Sequence, residues 1–138
     1  MTLARWAGAV AILTTGGIHV QQLIVEDFQS LPTLHVLFLL NAIGSGVVGL
    51  CLLAPLHRVL PERSADTAEA LLAAVGLTIA VGSLAGLFIA ETSSLFGLSS
   101  HGHYSTPAVL AIIVEGVAVL LLTPLLISSG RRALLTKA

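Results

Sequence analysis

Charge is scarce in this chain: Asp, Glu, Lys and Arg together make up 9% of its 138 residues. Soluble domains carry roughly a quarter, so a water-solvated globule is excluded and lipid is the expected solvent. Cysteine and methionine occur once each, as Cys51 and Met1. A single thiol excludes an intrachain disulfide and a thiol-redox pair, and the shortage of soft ligands disfavours Cu(I) handling. Enzyme signatures are missing as well. There is no glycine-rich phosphate loop, no His-Glu-x-x-His helix and no serine elbow, so no enzymatic activity is expected. The six basic residues are accounted for by membrane topology, which leaves no basis for nucleic-acid binding.

What the chain has in abundance is apolar surface, at 56% hydrophobic residues and a mean hydropathy of +1.01. Hydrocarbon about 30 Å thick needs roughly 20 apolar residues of helix. Four stretches meet that length, at about residues 3–25, 31–54, 68–90 and 105–127. In lipid the backbone must satisfy its own hydrogen bonds, so each is expected to be a helix. The first is too long for a secretion signal, ends in His19, Gln21 and Gln22, and lacks a small-x-small cleavage site, so it is expected to be retained. The fold class is therefore all-α, a four-transmembrane-helix bundle forming one integral membrane domain over residues 1–138. Asp66 with Glu69 three residues later resembles a capping box for the third helix. Pro32 and Pro107 stand at the starts of the second and fourth, where a missing N–H costs nothing.

Lys and Arg near helix ends are retained in the cytoplasm. Arg5, Arg58, Arg63, Arg131, Arg132 and Lys137 all fall on one side of an up-down-up-down arrangement, which predicts both termini in the cytoplasm and a plasma-membrane location. Trp6 and Tyr104 suit aromatic belts at the two interfaces. The other side holds Glu26, Asp27, His101 and His103 with no fixed positive charge. An acidic, imidazole-rich mouth attracts cations.

Thr15, His19, Gln22 and Glu26 are spaced by four, three and four, one stripe on the first helix. Tyr104, Ala108, Ala111 and Glu115 repeat that geometry on the fourth. A carboxylate deep in a membrane costs several kcal/mol unless partnered, and no Lys or Arg lies deep within the spans to serve Glu115. Its partners are expected among Asn41, a threonine, a protonated histidine or a bound cation. His35 lies on the second helix at a depth comparable to His19. Imidazole and carboxylate together suit a divalent transition metal, with His19, His35, Glu91, His101 and His103 as candidate ligands. Two histidines from neighbouring helices also suit haem b. Glu115, Asn41, Thr15, Gln22, Glu26 and Tyr104 would then hydrogen-bond around the ligand or handle protons.

At His19, the Leu37-Phe38-Leu39-Leu40-Asn41 run and Glu115, the chain resembles a loose group of small four-helix membrane proteins of high-GC bacteria. That resemblance implies a bacterial plasma-membrane location and no particular activity. The residues predict a membrane protein that binds a cation or cofactor through an outward-facing His and carboxylate cluster. Two other readings fit them. One is a non-catalytic accessory subunit of a larger membrane complex, with the polar residues acting as interhelical glue; the other is a quinone or lipid pocket with His19 and Glu115 on the head group. The partners expected are the bilayer and either further copies of the chain or other membrane subunits. Gly82-x-x-x-Gly86, Ala42-x-x-x-Gly46 and Ser45-x-x-x-Gly49 supply the small residues that such close packing needs.

Overall fold

The computed structural model describes residues 3–25, 32–92 and 106–135, apart from the side chains of residues 90–92. Five helices follow in order: α1 (Leu3–Val25), α2 (Pro32–Leu53), the short α3 (Leu56–Val59), α4 (Glu62–Thr92) and α5 (Thr106–Leu135). Among the described residues there is no strand. The four longer helices are each long and apolar enough to cross a membrane. α1 and α2 keep close to their expected bounds. α4 begins at Glu62, earlier than the sequence pattern suggests, because the Pro61 carbonyl accepts the first helical bond from the Ala65 amide at 2.9 Å. Asp66 and Glu69 therefore lie inside α4, not at its cap, and their carboxylates serve other partners. α5 runs through Pro124 to Leu135, losing only the one amide that proline lacks.

Packing is circular: α1 lies against α2 and α5, and α4 closes the ring by packing on α5 and α2. The outside of this ring is apolar, with Val36, Leu40, Ile43, Val47, Leu50, Phe88, Leu120 and Ile127 all exposed. Hydrocarbon solvates such a surface without penalty. The inside combines small residues, Ala9, Ala73, Ala80 and Ala118, with Ile12, Leu52, Leu122 and Leu125. Small residues let backbones approach, which in lipid replaces the hydrophobic effect as the reason helices associate. The α2 stripes serve this purpose within the chain: a methyl built on Gly16 would sit 3.2 Å from the Ala42 carbonyl, and one on Gly49 3.2 Å from the Ala9 carbonyl. Gly46, Gly82 and Gly86 differ, since a methyl on any of them meets nothing within 4 Å.

A seven-residue register organises the interior into three layers. Arg5, Ile12 and His19 follow it on α1, Leu52, Ser45 and Phe38 on α2, Glu69, Gly76 and Ser83 on α4, and Ser129, Leu122 and Glu115 on α5. Residues seven apart share a helix face, the register of side chains that interlock between shallowly crossing helices. The middle layer is closely packed and mostly apolar. Ile12 and Leu122 are fully buried, and a methyl on Gly76 would lie 2.8 Å from Leu122 Cδ1. Polar groups near this depth turn to their own helices, Thr15 Oγ1 to the Ala11 carbonyl at 3.2 Å and Ser45 Oγ to Asn41 Oδ1 at 3.2 Å. Above and below this plug the interior is polar, and the two polar layers lie about 21 Å apart along the helices, fourteen residues at the helical rise.

Candidate functional site

His19 anchors one polar layer. Gln22, one turn along the same face of α1, lies with its Oε1 3.1 Å from His19 Nδ1. An amide oxygen only accepts, so Nδ1 carries a hydrogen and donates it. His19 Nε2 then faces Glu115 Oε1 of α5 at 3.0 Å and Ser83 Oγ of α4 at 3.2 Å. A single hydrogen, on Nε2 or on Oε1, is enough to bond the two at that distance without leaving a net charge on the pair. A pair without net charge is what a low-dielectric interior tolerates. Phe38 of α2 closes the remaining side, its ring 5.2 Å from the imidazole and tilted by 56°.

Glu115 is 0% exposed. Its second oxygen, Oε2, has no hydrogen-bond partner among the described residues, and neither has His35 Nδ1. A buried acceptor without a partner costs about 1–3 kcal/mol and marks where a further donor or cation would be welcome.

Three members of each predicted stripe share a buried face. Thr15, His19 and Gln22 are buried on α1, and Ala108, Ala111 and Glu115 on α5. Other expectations divide. Asn41 does not reach Glu115, because its oxygen accepts from Ser45 one turn along α2. Among the described residues Thr15 likewise bonds only its own helix, at the Ala11 carbonyl. Nothing hydrogen-bonds His19 to His35 among the described residues; what α2 offers His19 is the ring of Phe38. Glu91 falls in the last turn of α4 but its side chain lies outside the described residues, as do Glu26, His101, His103 and Tyr104. Ser83 is the functional neighbour that sequence reasoning missed. Its signal was available in the seven-residue register: Glu69 to Ser83 on α4 and Glu115 to Ser129 on α5 are the same pair at the same fourteen-residue separation. The midpoints, Gly76 and Leu122, are in contact.

The opposite polar layer is ionic and was not anticipated. Arg5, read in the sequence only as a topology marker, is 1% exposed. Its Nε donates to the Leu52 carbonyl at 2.7 Å, Nη2 donates to the Ala54 carbonyl, and Nη1 lies 3.3 Å from Glu69 Oε2. Glu69 Oε1 accepts from Ser129 at 2.8 Å and from Arg132 Nη2 at 3.3 Å, while Arg132 Nε donates to Asp66 at 2.8 Å. His57 of α3 stands over the same carboxylates, 3.5 Å from Glu69 and 3.9 Å from Asp66. The two layers mirror each other in composition: α1 contributes the basic group, and α4 and α5 contribute one glutamate and one serine, exchanged between layers. In the ionic layer the glutamate holds a tethered cation. In the His19 layer it does not.

No three His, Cys, Asp or Glu side chains among the described residues are grouped closely enough to hold a metal ion by themselves. Comparison with protein-family models, curated proteins and solved structures finds no match.

Proposed function

We propose that this chain is a plasma-membrane protein with its four long helices up-down-up-down and both termini in the cytoplasm, and that it binds a cation at the outer end through His19 and Glu115. The orientation rests on the basic side chains: Arg5, Arg58, Arg63, Arg131 and Arg132 all belong to the end of the bundle where Arg5 meets Ala54 and Glu69. The binding reading rests on one observation, the 3.0 Å approach of His19 Nε2 to a fully buried carboxylate whose other oxygen lacks a partner.

The parts have complementary tasks. Gln22 holds the Nδ1 hydrogen and so aims the Nε2 lone pair away from it, the arrangement that metal-ligating imidazoles use. Glu115 supplies negative charge and Ser83 a neutral oxygen. This nitrogen and oxygen set suits a divalent transition metal. Glu91, His101 and His103, in or next to the segment joining α4 to α5, are the further donors that would complete the coordination.

Equilibrium dialysis of the purified protein against Zn²⁺ or Mn²⁺, followed by elemental analysis, tests this. About one ion per chain is expected for the native protein, and His19→Ala and Glu115→Gln should each abolish it. No uptake by the native protein overturns the reading. The pair would then be an interhelical lock, as an accessory subunit requires. The absorption spectrum of the same sample tests haem b, whose Soret band would assign His19 and His35 jointly.

A further inference from the structure

We propose that the seam between α1 and α5 seats one anionic phospholipid, its acyl chain in an apolar groove and its phosphate on Arg131. The groove has a volume of about 470 Å³ and is lined by Trp6, Val10 and Thr14 of α1 and Ile113, Val117 and Leu121 of α5. That volume falls in the range of clefts that hold small ligands. It runs along the helices for about 16 Å, judged from Leu3 to Thr14 at the helical rise. A methyl on Gly8 would lie 3.9 Å from Leu121 Cβ, so the early turns of α1 lie beside the later turns of α5. The groove therefore leads toward the Arg5 end of the bundle.

Arg131 stands beyond that end on the same face. Val117, Pro124 and Arg131 are seven residues apart in turn, and Val117 lines the groove. Seven residues return a helix to nearly the same face. The charge there is not already neutralised. Asp66 and Glu69 are engaged by Arg5 and Arg132, whereas exposed Arg131 has no acidic partner among the described residues. A guanidinium at the membrane surface matches a phosphate geometrically and electrostatically. Trp6, half-exposed at the same end, is the residue type that settles at the headgroup level. An apolar channel ending in an unneutralised arginine is complementary to a lipid with an apolar tail and an anionic head. A free phosphate would use Arg131 but not the groove.

Trp6 is the only tryptophan of the chain, so its fluorescence reports on the groove directly. The full chain is reconstituted in vesicles of equal phosphatidylglycerol and phosphatidylcholine, with bromine on the acyl chains of one lipid or the other. Quenching by brominated phosphatidylglycerol should exceed that by brominated phosphatidylcholine as for an affinity ratio of about fivefold, the effect of one basic residue at an anionic surface. Arg131→Gln should bring the two lipids to parity, and Arg58→Gln, at an exposed arginine on α3, the short helix that packs on α4, should leave the preference intact. Equal quenching by both lipids in the native protein overturns the proposal. So does an equal loss of preference in Arg58→Gln and Arg131→Gln, which would mean diffuse surface charge without a seat. Metal uptake at His19 is independent of all these outcomes.

Discussion

Replacing Arg5 by methionine keeps the aliphatic length and removes every polar contact the guanidinium makes. Three groups lose a donor: the carbonyls of Leu52 and Ala54, and Glu69 Oε2. The carbonyls lie at the C-terminal end of α2, where helices run out of amides to serve their last acceptors, so Arg5 acts there as a cap supplied by another helix, beside the Leu56 amide that also donates to the Ala54 carbonyl at 2.8 Å. Glu69 is 2% exposed and would keep Ser129 and Arg132 on one oxygen but only His57, at 3.5 Å, on the other. Removing one partner of a buried ion pair costs about 3–5 kcal/mol, whereas removing both charges together costs far less. Arg5→Met is therefore expected to destabilise by about 3–5 kcal/mol, and Arg5→Met with Glu69→Gln to be more stable than the sum of the single changes by about 0.5–3 kcal/mol. Arg5→Lys should fall between, because an ammonium cannot reach carbonyls and carboxylate in one plane. Unfolding by sodium dodecyl sulfate in mixed micelles, followed through the adjacent Trp6 emission, measures the native protein, Arg5→Met, Glu69→Gln, the double variant and Arg5→Lys. A cost below about 1 kcal/mol for Arg5→Met, or strict additivity in the double variant, would refute the claim that the buried network carries this end of the bundle.

Three more outcomes follow from the packing and the polar layers. Gly49→Ala places a methyl 3.2 Å from the Ala9 carbonyl and against Leu13, so it should force α1 from α2 at about 1–3 kcal/mol in the same assay. Gly82→Ala, with open space around the new methyl, should be neutral or stabilising by up to about 1 kcal/mol. His19→Ala leaves Glu115 without a described partner on either oxygen and should cost about 1–3 kcal/mol. Most of that loss should be recovered when Glu115→Leu is added, and an unrelieved double variant would show that the two residues do not act as a pair.

The class and the helices were legible because they depend on bulk quantities, apolar length and charge density, that any arrangement of the four spans would share. The buried stripes were legible for a related reason. Spacing by three and four fixes which side chains share a helix face without knowledge of what that face meets. Partners were harder. Glu115 could have been served by Asn41, a threonine or a histidine, and only the approach of α1 to α5 selects His19. Arg5 was misread because its sequence position near a span end already had a sufficient explanation in topology. Burial against α2 and α4 is a tertiary fact that no local pattern carries. Asp66 and Glu69 misled in the opposite sense: their three-residue spacing matches a capping box, but Pro61 starts the helix a turn earlier and frees both carboxylates for Arg132 and Arg5. The repeated separation of Glu69 from Ser83 and Glu115 from Ser129 was the one long-range signal present in the sequence, and it becomes interpretable once α4 and α5 lie side by side.

Ile12, Gly76 and Leu122 also govern where a membrane voltage falls. Potential drops most steeply across the stretch of lowest dielectric, and an elementary charge crossing 100 mV gains or loses about 2.3 kcal/mol. The two polar layers lie about 21 Å apart along the helices, most of a hydrocarbon thickness of about 30 Å, so on the proposed orientation the larger part of the voltage would fall between Arg5, Glu69 and Arg132 on one side and His19 and Glu115 on the other. A charge moved from one polar layer to the other would then work against more of the voltage than one moved from either layer to its own face.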